Sequence, residues 1–258
     1  MKNYNTLIRI LSITICIVLV ACVAATSLMF VFGVKADIYV LPSRDKDQST
    51  PARLGTTFDY GDSYIYQMLF FCDSVMAGIT EFDIINNEND VITGKRGDLP
   101  LDFNISTTEV NKKDLDGKTQ SIIDLVKLQK PRYLLISVGI NNGVEHCAEE
   151  KFKQYYTKLV EAIRAESPQT HIILQSVFPV SKQASKSNPS RSNEKIDAAN
   201  VWIEELCVSL SLRYLNTAEI LKNDKGALDP TFDSGDGIRL NEKGYRAVIA
   251  YIKTHGYK

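Results

Sequence analysis

Histidine is scarce in this sequence: only His146, His171 and His255 occur in 258 residues. None of them forms an HExxH motif, no CxxC pair is present, and no GxxxxGK[ST] segment occurs. These absences argue against the helical zinc-protease signature, the paired-cysteine zinc and redox motifs, and the phosphate-binding loop of nucleotide hydrolases. The sequence therefore predicts neither a metal ion nor a cofactor.

An excess of charge of either sign is also lacking, because 30 Lys and Arg residues face 31 Asp and Glu residues. This balance gives no electrostatic reason to expect nucleic acid as a partner. Of the five cysteines, Cys16 and Cys22 lie in the apolar N-terminus, which leaves Cys72, Cys147 and Cys207. An odd number of remaining thiols argues against a disulfide framework.

The N-terminus carries the longest apolar run, residues 10–34, without a single charge. The core of a signal peptide is about 7–15 residues long, whereas a spanning helix needs about 20. Residues 1–35 are therefore predicted to be a short N-terminus followed by one transmembrane signal anchor. This predicts a single-pass protein of the cell membrane, with the membrane as a partner and the globular domain outside the cytoplasm.

Two alternatives to an uncleaved anchor remain open. Leu19-Val20-Ala21-Cys22 resembles a bacterial lipobox, which would make Cys22 a lipidated N-terminus, although the following residues VAATSLMFVFGV stay apolar. Cleavage as an ordinary signal peptide is the second alternative. Positive charges flank the run on both sides, so their count does not set the orientation alone.

Residues 36–60 are predicted to be an extracytoplasmic tether, because Pro42, Pro51 and Gly55 accompany the mixed charge cluster SRDKDQSTPAR. Residues 61–258 then alternate between short apolar runs and helical periodicity. The apolar runs, typical of buried parallel strands, are residues 68–72, 133–138 and 172–177, with a weaker one at 212–215. Helices are predicted over residues 122–128, 152–163, 196–210 and 242–254. This pattern predicts a three-layer α/β/α sandwich around a central parallel sheet of about five strands.

Two Asp-Ser pairs raise the question of a nucleophile. Ser63 follows TTFDYGD, a polar segment without a strand, where a turn or cap is expected. Ser74 ends the apolar run MLFFCD, which places it at the carboxyl end of a predicted strand. Sites of parallel sheets gather at that edge. Ser74 is therefore the predicted nucleophile, although the literal Gly-Asp-Ser tripeptide contains Ser63.

The segment LFFCDSVMAGI resembles the first block of the SGNH, or GDSL-type, hydrolases, with Cys72 in place of the glycine of strand-Gly-Asp-Ser. Their third block, Gly-x-Asn, is matched by Gly139-Ile140-Asn141 directly after the run YLLISV. Their second block is a lone glycine, for which Gly94 or Gly97 in VITGKRGD fits, and Gly97 is favoured. Resemblance runs from about residue 62 to the C-terminus.

The last family block, Asp-x-x-His, aligns with Asp236-Gly237-Ile238-Arg239, so Arg239 stands where the family has its base. The resemblance implies a flavodoxin-like fold and a catalytic pair of Ser74 and Asp236. It implies an oxyanion hole formed by Ser74, Gly97 and Asn141. Arginine stays protonated and cannot take the serine proton, and loss of the triad histidine costs on the order of 10⁶ in kcat in subtilisin.

The resemblance implies an O-acyl or O-acetyl esterase, or an acyltransferase scaffold, at the cell envelope. Its substrate would be a small acyl ester or an acylated glycan, with catalysis weak or lost. The alternative is a non-catalytic descendant that binds an acylated or anionic glycan, or an accessory protein to a membrane acyltransferase.

Another histidine could replace the missing base. His146 lies in NNGVEHC, five residues after Asn141, and is the possible alternative, although a surface role is expected. His171 opens a strand at the far edge and is predicted to be structural, and His255 is predicted to be solvated. Residues 175–179, QSVFP, either line the pocket or simply end a strand at proline.

Overall fold

A computed structural model describes residues 50–85 and 90–257. The predicted anchor, the lipobox and residues 36–49 of the predicted tether lie outside these ranges. In the part of the chain that is described, no helix is both long enough and apolar enough to cross a bilayer.

Five parallel strands form the central sheet, as the apolar runs predict. The strands of the described residues are β1 (Met68–Cys72), β2 (Val91–Ile92), β3 (Glu109–Lys113), β4 (Thr119–Ser121), β5 (Tyr133–Ser137), β6 (His171–Gln175) and β7 (Arg213–Leu215). The sheet order is β2-β1-β5-β6-β7, and each neighbouring pair is parallel. All residues of β1 and β5 are buried, because helices cover both faces of such a sheet.

The helices form two groups. The helices of the described residues are α1 (Asp62–Ile65), α2 (Ser74–Ala77), α3 (Ile122–Gln129), α4 (Glu149–Glu166), α5 (Lys182–Ser187), α6 (Asn193–Ser209), α7 (Ala218–Leu221) and α8 (Glu242–Thr254). Helix α4 contacts α3 and α6, whereas α8 contacts α1, α7 and the 3₁₀ turn Gly78–Phe82. From β1 the sheet extends in both directions, so right-handed connections place helices on opposite faces. The fold class is therefore confirmed as α/β with a central parallel sheet of five strands.

Residues at the end of the predicted tether pack against the domain. Arg53 forms a parallel bridge with Tyr214, and Ala52 and Leu54 beside it are buried. The Arg53 guanidinium also pairs with Glu204 of α6 at 2.5 Å. The packed chain therefore includes residues before position 61.

A two-stranded antiparallel hairpin, β3 with β4, was not expected from the sequence. Most residues of the hairpin are polar and not buried, so the spacing of apolar residues does not indicate these strands. Gly94 bridges to Val110 of β3, and the Lys95 amide donates to the Glu109 carbonyl at 3.0 Å. The hairpin thus extends the structure beside the short strand β2.

The turn after β1 is organised by a buried carboxylate. Asp73 caps helix α2, and its Oδ1 accepts the Val75 amide at 3.1 Å. The backbone amides of Met76 and Ile140 also bond to this carboxylate. Burial raises the pKa of Asp73 to about 6, although these amides and the charge of Arg191 favour the ionised form. One side chain therefore joins the end of β1 to the loop after β5.

Burial of Asp73 predicts a pH-dependent loss of stability. Its pKa is higher in the folded chain, so between about pH 4 and pH 6 the folded state holds more protons than the unfolded state, and stability falls as pH rises. From pH 4 to pH 7 the free energy of unfolding of wild type should fall by about 2 kcal/mol relative to that of Asp73→Asn, which has no carboxyl group to titrate at this position. Urea denaturation of both proteins across this range measures the difference. Parallel pH profiles for the two proteins would contradict the prediction.

Candidate active site

Ser74 lies at the carboxyl end of β1, between the neighbouring strands β2 and β5. It is the first residue of α2, its side chain is exposed, and it lines an open cleft of about 580 Å³. In the described part of the chain, its backbone amide has no hydrogen-bond acceptor. A helix N-terminus with an unused amide favours negative charge at this position.

Ser63 lies elsewhere and makes a local contact. It belongs to the short helix α1, is exposed, and its Oγ donates to the Tyr60 carbonyl at 3.2 Å. This is the turn role that the polar sequence around it predicts. Ser63 is not among the residues that line the cleft.

Asn141 follows β5, the strand next to β1. It belongs to the irregular segment Ile140–Val144 and has an extended backbone, with φ −86° and ψ 126°. Its Oδ1 accepts a hydrogen bond from Nη2 of Arg191 at 3.5 Å. Among the residues that the structure describes, Nδ2 of Asn141 has no acceptor. Asn141 is not among the residues that line the cleft, but the Asp73 carboxylate bonds the amide of its neighbour Ile140, so Ser74 and Asn141 flank one shared anchor.

The two candidate glycines differ in whether their amides are engaged. Gly97 lines the cleft with φ +82°, but its amide donates to the Gly94 carbonyl at 2.8 Å. The Gly94 amide has no acceptor within the described ranges, and a Cβ on Gly94 would lie 1.6 Å from the Asp98 carbonyl oxygen. In this conformation the Gly97 amide is not free to bind an oxyanion, contrary to the preference for Gly97. The role of Gly97 stays a prediction that requires this turn to open.

Asp236 and Arg239 form an ion pair at the edge of the same cleft. Nε of Arg239 lies 2.7 Å from Oδ2 of Asp236, and the Arg239 side chain is half exposed and lines the cleft with Ser74. Oδ1 of Asp236 accepts the Ile238 and Arg239 amides, each at 2.8 Å. Partial burial opposes ionisation, yet these hydrogen bonds and the one from the Arg239 side chain lower the pKa of Asp236 to about 2. The carboxylate is thus ionised and engaged by a guanidinium.

None of the three histidines lines the cleft. His146 is exposed, beyond the segment that contains Asn141. His171 begins β6 at the opposite edge of the sheet, and its ring contacts Tyr257 at 4.4 Å between centroids. His255 is buried and stacked on Tyr251 at 3.6 Å, so the prediction that it is solvated is wrong. The i, i+4 spacing of Tyr251 and His255 at the end of α8 was the available signal.

A second, small cavity lies beside the nucleophile turn. It leaves only about 10 Å³ of free space, the room that one water molecule needs. Asp73 and Ser137 are its polar lining residues, and the others are apolar: Val75, Met76, Val138, Ile140, Val177, Phe178, Val180 and Ile238. Val177 and Phe178 show that the segment after β6 does line a pocket.

Sequence reasoning missed two charged residues near these loops, Glu81 and Arg191. Glu81 lines the cleft together with Ser74. The two residues are seven positions apart, a spacing that places side chains on the same face of a helix and that could have indicated Glu81. Arg191 follows Pro189 in a short 3₁₀ turn and bonds residues about fifty positions away, which no local pattern reveals. Within residues 50–85 and 90–257, no cluster of three or more His, Cys, Asp or Glu side chains could hold a metal ion.

Solved structures of other proteins are similar to this chain. A crystal structure of a GDSL-like lipase from Bacteroides thetaiotaomicron is 18% identical, with a TM-score of 0.51, covering 72% of this chain and 85% of that one. A carbohydrate esterase of family 3 from Talaromyces cellulolyticus is 15% identical, with a TM-score of 0.47 and coverages of 72% and 93%. The periplasmic domain of a lipopolysaccharide acetyltransferase from Salmonella ser. Paratyphi A is 18% identical, with a TM-score of 0.45 and coverages of 71% and 80%.

At 18% identity, the likeness to the Bacteroides structure concerns the fold alone. None of the curated proteins matches the chain significantly. The model of the GDSL-like lipase/acylhydrolase family, however, matches residues 61–247, most of the chain and all of the loops that carry Ser74, Asn141 and Asp236. This chain belongs to the GDSL-like lipase/acylhydrolase family.

Proposed function

We propose that this protein is an SGNH-type serine esterase or acyltransferase of the cell envelope, acting on O-acyl or O-acetyl groups of carbohydrate. Its catalysis is weak because Arg239 takes the place of the general base. The observation that carries the proposal is the placement of Ser74, exposed in the cleft with a free backbone amide at the carboxyl end of β1. The membrane anchor remains the proposed means of localisation.

Acyl transfer requires a nucleophile, hydrogen-bond donors for the oxyanion and a base, and this site offers the first two. Ser74 Oγ would attack the ester carbonyl carbon, and the C=O pair would move onto oxygen. The donors proposed for that oxyanion are the Ser74 amide and, after the neighbouring strand β5, Nδ2 of Asn141. The serine proton, however, needs an acceptor, and the guanidinium of Arg239 cannot take it. An oxyanion hole without a base still gives about 10³–10⁴ over water.

The ion pair explains how the third group is lost. In a working triad the carboxylate holds an imidazole in the tautomer that accepts the serine proton. Here Asp236 instead holds the Arg239 guanidinium, at 2.7 Å. The backbone of the loop still presents its third residue after Asp236 to the cleft. The site therefore keeps its architecture and lacks one proton acceptor.

The small cavity supports a short acyl group. Val75, Ile140 and Ile238, which line this cavity, are the chain neighbours of Ser74, Asn141 and Arg239, so the cavity is formed by the same three loops. Its free space of about 10 Å³ suits the methyl group of an acetyl ester and not a longer chain. The much larger open cleft is left for the alcohol part of the ester, which suits a sugar.

A non-catalytic role is the second candidate. Arg239 has a half-exposed side chain in a cleft that holds Glu81, Lys112 and several polar groups. Such a surface could bind an acylated or anionic glycan without turning it over. The chain would then serve as an accessory to a membrane acyltransferase. The two candidates differ in whether Ser74 is needed.

One prediction of this proposal concerns the base. Arg239→His should place an imidazole beside Asp236, whose carboxylate can fix its tautomer, and general-base help contributes about 10²–10⁴-fold. We expect hydrolysis of p-nitrophenyl acetate by the full-length chain to rise by about 10²-fold and to vanish on adding Ser74→Ala. Arg246→His is the matched control, because Arg246 forms a similar exposed ion pair with Glu242 on α8.

Two results would contradict this prediction. If Arg239→His and wild type are both indistinguishable from buffer, the non-catalytic role is favoured. If wild type is already active and His146→Ala abolishes that activity, the exposed loop histidine is the base and Arg239 is not the defect.

Another prediction of this proposal concerns acyl chain length. Val177→Ala removes two methyl groups from the wall of the small cavity, so the ratio of kcat/KM for butyrate to that for acetate should rise at least about tenfold. Val248→Ala, on the buried face of α8, is the matched control and should leave the ratio unchanged. Both ratios are measured in the Arg239→His background with p-nitrophenyl esters. An unchanged ratio in Val177→Ala would contradict the assignment of this cavity to the acyl group.

A further inference from the structure

The segment between β6 and α6 touches both loops of the candidate site. At its start, the Ser181 amide donates to the Gly237 carbonyl at 2.8 Å, inside the loop that runs from Asp236 to Arg239. A Cβ on Gly237 would lie 2.4 Å from Ser181 Oγ, so the two backbones meet closely. At its end, the 3₁₀ turn Pro189–Arg191 carries Arg191 to the loop of Asn141. This segment therefore links the two loops to each other.

Arg191 is held by a partly buried ion pair. Its Nη2 lies 2.8 Å from Oε1 of Glu145, and the two side chains are 20% and 17% exposed. Asn188 donates to the same carboxylate oxygen at 3.3 Å. The position of Arg191 is thus fixed independently of Asn141.

From that position Arg191 contacts the side-chain amide of Asn141. Its Nη2 donates to Oδ1 of Asn141 at 3.5 Å. A guanidinium carries donors only, so it can bond the oxygen of an amide and never the nitrogen. With Oδ1 turned to Arg191, Nδ2 points the other way, and no acceptor is found for it in the described part of the chain. The amide is therefore oriented as a donor.

The orientation matters because an amide presents opposite partial charges at its two ends. If the Asn141 side chain rotated by 180° about χ2, Oδ1 would replace Nδ2 and would repel a developing oxyanion. The neighbouring Ile140 amide bonds the buried Asp73 carboxylate, which Arg191 also stabilises through its charge. Arg191 therefore acts on the side chain of Asn141 and on the backbone anchor beside it.

We propose that Arg191 is a positioning residue that orients the Asn141 amide as an oxyanion donor. This rests on the proposed function, because it assumes that Ser74 attacks an ester. Arg191 itself touches no reacting atom in this account. Its guanidinium determines which end of the Asn141 amide the oxyanion meets.

A double-mutant cycle in kcat tests whether Arg191 acts through Asn141. In the Arg239→His background, Asn141→Ala should lower kcat for p-nitrophenyl acetate roughly 10²–10³-fold, the loss of one oxyanion donor. Arg191→Gln should lower kcat roughly 10–100-fold with KM nearly unchanged, and Arg191→Lys should retain part of the activity. The double variant should be no slower than Asn141→Ala alone.

The control variant is Arg53→Gln, which removes a comparable Arg–Glu pair at the β7 edge. It should lower Tm by about as much as Arg191→Gln and leave kcat unchanged. If Arg53→Gln lowers kcat as much as Arg191→Gln does, the effect of Arg191 is general destabilisation. If the losses of Arg191→Gln and Asn141→Ala multiply, Arg191 acts independently of Asn141. Either result overturns the inference while leaving the proposed function intact.

A second readout does not require turnover. The Tm losses of Arg191→Gln and Asn141→Ala should be less than additive, because both remove the same contact, whereas those of Arg53→Gln and Asn141→Ala should add. Absence of any Ser74-dependent reaction would reject the proposed function. The Tm losses alone would then test the contact between Arg191 and Asn141, and additive losses would show that Arg191 does not orient Asn141.

Discussion

The candidate site depends on the hydrogen bonds between the Asp73 carboxylate and the backbone amides around it. This carboxylate is buried at the end of β1 and accepts the backbone amides of Val75 and Met76 in α2 and of Ile140 in the loop after β5. Because β1 and β5 are parallel neighbours, their carboxyl ends already lie side by side. The carboxylate converts this adjacency into a fixed arrangement. Ser74 follows Asp73 directly in the chain, and Asn141 follows Ile140, whose amide bonds this carboxylate.

A buried negative charge has a cost, and the structure meets it with amides and with one cation. Burial disfavours ionisation of Asp73, while the amides and the charge of Arg191 favour it. Arg191 in turn pairs with Glu145 on the loop after Asn141. The charges around the oxyanion side of the site thus form a connected set. On the opposite side, Asp236 and Arg239 form a separate pair that is open to solvent.

The sequence alone was sufficient for the layers of the fold. The apolar run of residues 68–72 coincides with β1, and residues 242–254 coincide with α8, because burial leaves a direct record in the spacing of apolar residues. The same reasoning separated Ser74 from Ser63, since only one of them follows a buried strand. Family blocks then indicated Asn141 and Asp236.

Other features were beyond sequence reasoning because they depend on contacts between distant residues. The engaged amide of Gly97 depends on how the turn after β2 folds. The role of Arg191 depends on a side chain that bonds two residues about fifty positions earlier. His255 is buried because the C-terminal residues fold back onto the domain, where its ring meets Thr56 at 3.4 Å. The i, i+4 spacing of Tyr251 and His255 was a signal for the last of these contacts, whereas periodicity carries no information about the others.

We propose Ser74 as the nucleophile of this cleft, and its reaction is slow because no base accepts its proton. Mass spectrometry after prolonged incubation of the full-length protein with a fluorophosphonate tests it directly, since that reagent bonds covalently to nucleophilic serine oxygens. We predict a single adduct, located on Ser74, retained in Ser63→Ala and absent in Ser74→Ala. An adduct on Ser63, or a protein whose Ser74 reacts no faster than the other exposed serines, would contradict it.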